Sequence, residues 1–563
     1  MKTTREEWTS ARPVFLLVLK WSGRYFYAST EPIQVDEYSF TGGLSEDPDI
    51  NFQMPELGFS VSSYSTPISV YLNNVDISKQ ASNYNYLDNA EAELSYILVK
   101  PDGTKTTFDN RIVLINGIVK QPVFGHLDQK SNYVEFSIEN ESVESSMLQL
   151  LVGSSAVIDS LELSSKINTA LSPLNSLFVG STTQLEILDI HKGKNLTFVI
   201  GQSGFFFDEF GTKQYFGSTP AYVIYALHGG TNKMWLAIAG HDVDCTSVRI
   251  YDDLGNFRTE NVQKFIRRDG RVFCFVEFTH SSGSFQNPVD DESARFFVSW
   301  MNGGGFKSPI SNAPLSKAGE LCLYMLSLSN QRVNMKEWIA VKSRLNAYSF
   351  AGYINEFDLT PLEFLENEIV PFLPISIIQS EEGLKPVFDV LASGASLLAI
   401  DSIVASPEFK LDNPVQTLSD TSQIINDYTL QYVYDAKENE HKKTIRISGE
   451  TKDYYENVTT NQMSIDSFQR FGSRPIKSAS NFIHDDNTAA LVVFDKIQMF
   501  SSLTKVVSYR CSARFGYLNI GDIIELTDDD SSFENRLVQV ISKSWEDTNW
   551  SITFKVAPEG KQI

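Results

Sequence analysis

The sequence predicts a mainly β protein with some α, divided into several domains. Three observations carry that reading. Phe (38) and Tyr (23) are abundant among 563 residues, and Thr, Val and Ile recur in short runs, the mixture that fits pleated, half-buried strands. Apolar and polar residues alternate with period two in segments near both ends of the chain. Turn chemistry separates those segments. At about 100–200 residues per domain the length allows roughly three to five domains. The expected division is 1–150, 151–315, 316–405 and 406–563.

The first segment opens on Arg12-Pro-Val-Phe-Leu-Leu-Val-Leu19, punctuated by Gly23 and resumed by Arg24-Tyr-Phe-Tyr27, a strand–turn–strand pattern. Val134, Phe136 and Ile138 alternate with Glu135, Ser137 and Glu139, as on a sheet with one wet face; Leu94, Tyr96 and Leu98 do the same. Lys100-Pro-Asp-Gly103 reads as a turn, because Pro presets φ and Gly tolerates φ > 0.

In the second segment Trp235–Gly240 and Ser247–Tyr251 read as strands flanking the polar His241-Asp-Val-Asp244. Asp252-Asp-Leu-Gly255 reads as a hairpin turn before the strand Arg271–Phe278, and Met301-Asn-Gly-Gly-Gly-Phe306 as an exposed loop. In the third, Thr360-Pro-Leu-Glu363 has the signature of a helix start: Thr at the N-cap, Pro at the first position, Glu closing a capping box. Leu362, Leu365 and Ile369 then share a face until Pro371 stops the helix. Residues 402–422 read as polar and loop-like. The last segment has the clearest strand, Trp550, Ile552, Phe554 and Val556 alternating with Ser551, Thr553 and Lys555. One helix interrupts it, capped by Asp486 or Asn487, with Ala489, Val493 and Ile497 on one face.

Composition excludes several classes. A formal net charge of −23 and a pI near 4.8 repel nucleic acid. The longest uncharged apolar stretch, around Val390 to Ile400, is too short for the ~20 residues of a membrane span. The start, Met1-Lys-Thr-Thr-Arg-Glu-Glu-Trp8, has no secretion signal, so the expectation is a chain made and folded in a cytoplasm. Cys245, Cys274, Cys322 and Cys511 lie far apart with no CxxC spacing, which argues against a disulfide or zinc framework; Cys274, inside Val272-Phe-Cys-Phe-Val276, reads as a buried strand residue.

The search for chemistry yields no catalytic, cofactor-binding or metal residue. His126, His191, His228, His241, His280, His441 and His484 are scattered. His241 with Asp242 and Asp244 is the best ligand-like group, but strand geometry sets His241 and Asp244 on opposite faces, so a loop at a strand end is the preferred reading. Asp528-Asp-Asp530 lacks the glycine and distal Glu of an EF-hand and reads as a solvated hairpin loop. Gly201-Gln-Ser-Gly204 is not a nucleophile elbow, and no P-loop or dinucleotide fingerprint occurs. Seventy acids make any carboxylate pair uninformative.

The C-terminal segment resembles a known family. Asn426-Asp-Tyr-Thr-Leu-Gln-Tyr-Val-Tyr-Asp435 is similar to the strand that opens the last part of bacteriophage tail hub proteins. Phe471-Gly-Ser-Arg474 and Ile483-His-Asp-Asp-Asn-Thr-Ala-Ala490 look like that family's short loop and following helix. Val507-Ser-Tyr-Arg-Cys511, then Leu518-Asn-Ile-Gly-Asp-Ile-Ile-Glu-Leu-Thr-Asp528, resemble its strand pair, and Arg536–Ser542 and the Trp550 strand follow in order. Upstream, Arg12–Leu19 with Tyr25–Pro32, Gly240–Asp252 and Pro361–Ser376 resemble further hub segments in sequence order. The stretch 181–220 is less familiar.

The resemblance implies two tube-like β-barrel domains, one near each end, with mixed β/α domains inserted between them. It implies a structural virion protein without cofactor: the central hub of a tail baseplate or tail tip, a homotrimer joining a six-fold tail tube (or distal tail protein) to a three-fold spike or tip fibre, touching other baseplate proteins and lining the DNA-ejection channel. The alternatives are a tail-associated hydrolase of cell wall or polysaccharide, and a receptor- or carbohydrate-binding tail module.

Overall fold

The computed structural model describes residues 11–21, 23–44, 50–54, 61–62, 68–72, 87–128, 131–139, 196–226, 232–266, 272–280, 285–286, 294–309, 312, 315–329, 332–355, 359–380, 383–392, 399–407, 409–450, 458–459, 461–546 and 548–558. The chain is mainly β with some α: several sheets, one of them a closed barrel, and a helical region between them. The Met1–Trp8 start and the expected boundary at 150/151 lie outside the described residues.

An eight-stranded sheet gathers the N-terminal strands in the order Ile33–Val35, Tyr38–Gly42, Arg24–Ser29, Arg12–Trp21, Glu91–Val99, Ile112–Asp128, Ser131–Glu139, Ile68–Leu72. The expected first hairpin is present, with Trp21 opposite Arg24 and Gly23 at φ +74°. The Lys100–Gly103 turn closes through the Gly103 amide on the Lys100 carbonyl at 2.9 Å. Val134, Phe136 and Ile138 are buried and Glu135 is exposed. Strand Glu91–Val99 departs from its expected alternation, for Ser95, Ile97 and Val99 are buried along with Leu94, Tyr96 and Leu98. The reason is a second cover: Val35 and Phe40 of the edge hairpin pack with Val14, Leu16, Ile97 and Val99 on the far face.

The C-terminal sheet runs Asp401–Val404, Ile523–Asp528, Phe533–Glu546, Asn549–Val556, Lys505–Cys511, Val415–Leu418. Trp550, Ile552, Phe554 and Val556 face the core while Ser551, Thr553 and Lys555 are half-buried, as the period requires. The polar stretch 402–422 is corrected here: it supplies both edge strands, and Phe409 between them plugs the core against Tyr509, Phe515 and Phe554. Gly521 takes φ +82° at the strand start, where a Cβ would sit 2.6 Å from Val387.

These two sheets share one core. Phe15, Leu94 and Tyr96 from the first pack with Trp545, Trp550 and Phe554 from the second. The Tyr96 hydroxyl donates to the Ala513 carbonyl at 2.6 Å and accepts from Trp550 Nε1 at 3.2 Å. Gly516 makes that approach possible, since a Cβ there would collide with the Tyr96 hydroxyl at 1.7 Å. Residues Asn51–Gln53 leave the N-terminal region and pair antiparallel with Ser542–Ser544 of the C-terminal sheet.

Among the described residues the sheet that closes into a barrel lies between these two in sequence, not near either end, where the resemblance implies tube-like barrels; its order is Thr219–Ala226, Asn232–Ala239, Val272–His280, Phe257–Ile266, Ser247–Asp252, Phe296–Trp300. Leu236, Ile238, Ile250, Cys274, Val298 and Trp300 fill it. The Asp252–Gly255 turn forms, but it leads into Phe257–Ile266, a strand that the sequence pattern hid. That strand's core-facing residue Val262 stands alone between polar ones, so it shows no alternation. The expected exposed loop at 301–306 is also corrected: Gly304 and Gly305 are buried, and a Cβ on Gly305 would lie 2.4 Å from the Gly201 amide nitrogen.

A second large core holds the helices Ala318–Leu328 and Met335–Leu345, the helix Asp486–Phe500 and a four-stranded sheet ordered Val458–Thr459, Glu440–Ser448, Asp427–Asp435, Pro475–Ala479. The Thr360/Glu363 capping box is present. Beyond it the helix does not stop at Pro371. It widens into a π turn over Leu365–Ile369, then tightens to a 3-10 turn, Val370–Phe372, whose opening tolerates a proline lacking its N–H. Asp485, not Asp486 or Asn487, caps the last helix, accepting from the Thr488 amide at 2.9 Å. The segment also holds a second helix, Gln462–Phe471, which buries Ser464 and Ser467 rather than an apolar stripe. Among the described residues no helix is long and apolar enough to cross a membrane.

Candidate functional site

The ligand-like groups of the sequence are dispersed by the fold. His241 is buried at the end of strand Asn232–Ala239. Its Nε2 accepts from the Val199 amide at 2.9 Å, so Nδ1 carries the proton and donates to the Asp242 carbonyl at 2.7 Å. Burial pushes its pKa down to about 4. Asp242 turns away to Lys264, and Asp244 pairs with Lys307 at 3.3 Å. Among the described residues no group of three or more His, Cys, Asp or Glu side chains could hold a metal.

Asp528 corrects the expectation of a solvated loop, which holds only for Asp529 and Asp530. Its buried carboxylate accepts from the Tyr509 hydroxyl at 2.8 Å, Lys410 Nζ at 2.9 Å and the Ser531 amide at 3.2 Å. Burial alone would raise its pKa, but hydrogen bonds from Ser531, Lys410 and Tyr509 hold it below the usual value. This is an anchor between strand ends. Ser203 is buried against Ser218 Oγ at 2.8 Å, with its neighbours Ser218 and Ser299 bonded to backbone carbonyls. The four cysteines are free and buried; burial pushes the Cys274 and Cys322 thiols up to about 12, far from a reactive thiolate. His441 meets Asn481 Oδ1 at 3.1 Å, and desolvation of the half-buried His484 pushes its pKa down to about 4. The side chains of His126 and His280, and all of His191 and His228, lie outside the described residues.

Two surface features stand out among the described residues. One is an open cleft of about 230 Å³ where strand Gly352–Ile354, the turn after Thr360 and the strand Asp427–Asp435 meet. Tyr353, Phe364, Glu368, Tyr434, Asn481 and Phe482 line it. Among the described residues that line it, one carboxylate, Glu368, stands among aromatic and amide groups.

The other feature is the hairpin Phe205–Phe207/Lys213–Tyr215 beside the closed barrel. Asp208 fixes its tip: Oδ1 accepts from the Phe210 and Thr212 amides at 3.0 and 2.8 Å, and Oδ2 accepts from Gln214 Nε2 at 2.8 Å. At this rigid tip Phe210 is 84% exposed, and Phe207 beside it 48%. A ladder of alternating rings and cations runs from its base. Lys213 lies 3.8 Å from the Phe205 ring centre, and the Arg249 guanidinium lies 4.5 Å from both Tyr215 and Phe257. The sequence held no signal for either feature. The cleft is assembled from three separate stretches, 353–368, Tyr434 and Asn481 with Phe482, and Phe210 falls in the unfamiliar stretch 181–220, of which 181–195 lies outside the described residues.

No protein-family profile and no curated protein matches this sequence. Among solved structures the chain is similar to the tail protein from Neisseria meningitidis MC58, at 9% identity and TM-score 0.34, over 97% of this chain and 97% of that one. It is similar to a chain of the virion of a native gene transfer agent particle, at 9% identity and TM-score 0.37, over 72% of this chain and 99% of that one. A chain of the phage P2 baseplate in its activated conformation with Ca aligns at 9% identity and TM-score 0.16, over 65% of this chain and 100% of that one. All three scores lie below what a shared fold gives.

Proposed function

We propose that this chain is a non-enzymatic structural protein of a phage tail, the hub at its distal end. The observation that carries the reading is the union of the two end sheets in one core, so that each chain presents two β modules side by side. Three such chains around an axis offer six modules, which reconciles a six-fold tube with a three-fold spike or tip fibre; closed cyclic symmetry is how identical subunits make a finite ring. The hub-like segments occur in order along the chain, and those of the last part fall on strand Asp427–Asp435, helix Asp486–Phe500 and strands Lys505–Cys511 and Ile523–Asp528. In this reading the domains are 1–150, 151–315, 316–405 and 406–563, the first and last being the tube-like ones. Acidic or neutral groups line the channel, in keeping with the net charge of −23, because a basic wall would hold departing DNA. The protein resides in the virion after assembly in the host cytoplasm.

Deleting the gene from its phage genome tests this. A hub is needed to start the tail, so lysates should contain heads without complete tails, restored by supplying the chain in trans. Normal tails that merely fail to adsorb would instead identify a receptor- or carbohydrate-binding module. Normal tails that fail to penetrate, with wall polymer cleaved by the purified chain, would identify a hydrolase.

A further inference from the structure

We infer that the outer edge of strand Pro475–Ala479 receives an extended acidic segment of another protein, which adds to the four-stranded sheet as a further strand. The inference stands independently of the hub reading. Its first support is the backbone. Strand Pro475–Ala479 lies at the end of its sheet, paired with Asp427–Asp435 on one side, and no strand among the described residues covers its other side. The Ser480 amide donates inward to the Gln431 carbonyl at 2.9 Å. Alternation then turns the N–H and C=O of Lys477 and Ala479 outward, a template for one more strand. Pairing of that kind is a recurring way to hold an extended peptide.

Packing is the second support. Ile476 lies in register with Tyr428, and Tyr428 with Ile447, so the three share the core face of the sheet. Tyr428 and Ile447 are buried, but Ile476 is 44% exposed, because the core ends before the edge. An apolar side chain on an added strand would cover it. Charge is the third. From Ser467 to His484 the chain carries Arg470, Arg474 and Lys477 and no acid, although the whole chain has 70 acids against 47 Lys and Arg. All three cations are exposed, and none pairs with a carboxylate among the described residues. Asp427, opposite Pro475, is held by Arg446 at 2.7 Å. These charges choose the occupant. The same edge of a second copy would set Arg474 and Lys477 beside like charges. A nucleic acid offers no strand backbone and is repelled by a net charge of −23. A strand with acids on the Lys477 face and apolar residues on the Ile476 face satisfies all three observations.

Binding of a fluorescent peptide to the full chain tests this. The probe has about eight residues, a strand's length, alternating Glu with Val. It should bind saturably at low salt and more weakly at high salt. Arg474→Glu together with Lys477→Glu should weaken binding at least about tenfold, equivalent to about 1.4 kcal/mol, with thermal unfolding unchanged because both side chains are exposed. A peptide alternating Lys with Val should regain affinity for that variant. N-methylating the backbone of the Glu–Val peptide should weaken binding by a similar factor, since it removes the strand's donors and leaves every charge. Absence of saturable binding overturns the proposal, and so does binding indifferent to N-methylation. A single-stranded DNA oligonucleotide of equal charge that binds as tightly would overturn it in favour of a general anion patch. Self-association of the chain that Lys477→Glu abolishes would overturn it in favour of a second copy.

Discussion

Replacing Tyr96 by Phe removes one oxygen atom, and the structure gives that atom two duties across the join between the end sheets. Its hydroxyl donates to the Ala513 carbonyl and accepts from Trp550 Nε1. All three residues are buried. Without the hydroxyl, one buried N–H and one buried C=O lose this partner, at about 1–3 kcal/mol for each group left unpaired. The saved cost of burying the hydroxyl offsets part of this, so Tyr96→Phe should destabilise by about 2–4 kcal/mol. Trp550→Phe removes the donor instead. The double variant should therefore lose less than the sum of the single losses, by about 1 kcal/mol. Urea titrations followed by tryptophan fluorescence read both terms, because Trp545 and Trp550 stand in this core. A cost below about 0.5 kcal/mol, strict additivity, or separate unfolding of the two sheets would refute a shared core.

Phe554→Ala should cost about 3–5 kcal/mol and Ser551→Ala under about 1 kcal/mol, since only the first faces the core; equal losses in denaturant would contradict the register. Gly305→Ala combines φ +87° with a Cβ 2.4 Å from the Gly201 nitrogen, so thermal unfolding should show a loss of about 1–3 kcal/mol, and a neutral variant would contradict the buried glycine contact. His241 and His484 are held near pKa 4, below the ordinary 6.5. The unfolded chain then binds more protons between those values, so stability should fall as pH drops from about 6.5 to about 4. An unchanged slope in that window after His241→Gln and His484→Gln together would contradict this.

Legibility in the sequence followed periodicity. Strand Asn549–Val556 and the Thr360 capping box could be read because each is a local rule satisfied by neighbours in sequence. Strand Phe257–Ile266 could not, since none of its described side chains, from Phe257 to Lys264, is fully buried. Helix Ala318–Leu328 is buried on nearly all sides, which erases the amphipathic stripe that announces a helix. Helix Gln462–Phe471 buries Ser464 and Ser467 in place of an apolar stripe, and it lies so close to the neighbouring chain that a Cβ on Gly449 would sit 2.1 Å from the Ser464 carbonyl oxygen. The cleft and the Phe210 tip are tertiary objects, joined only by the fold.

The most direct test of the account is the symmetry of this chain within assembled tails, measured by cryo-electron microscopy without imposed symmetry. The account predicts three copies around the axis, each placing its residue 12–139 sheet and its residue 401–556 sheet as neighbours in one ring of six modules beneath the tube. Six copies per ring, or one module per chain facing the tube, would contradict it.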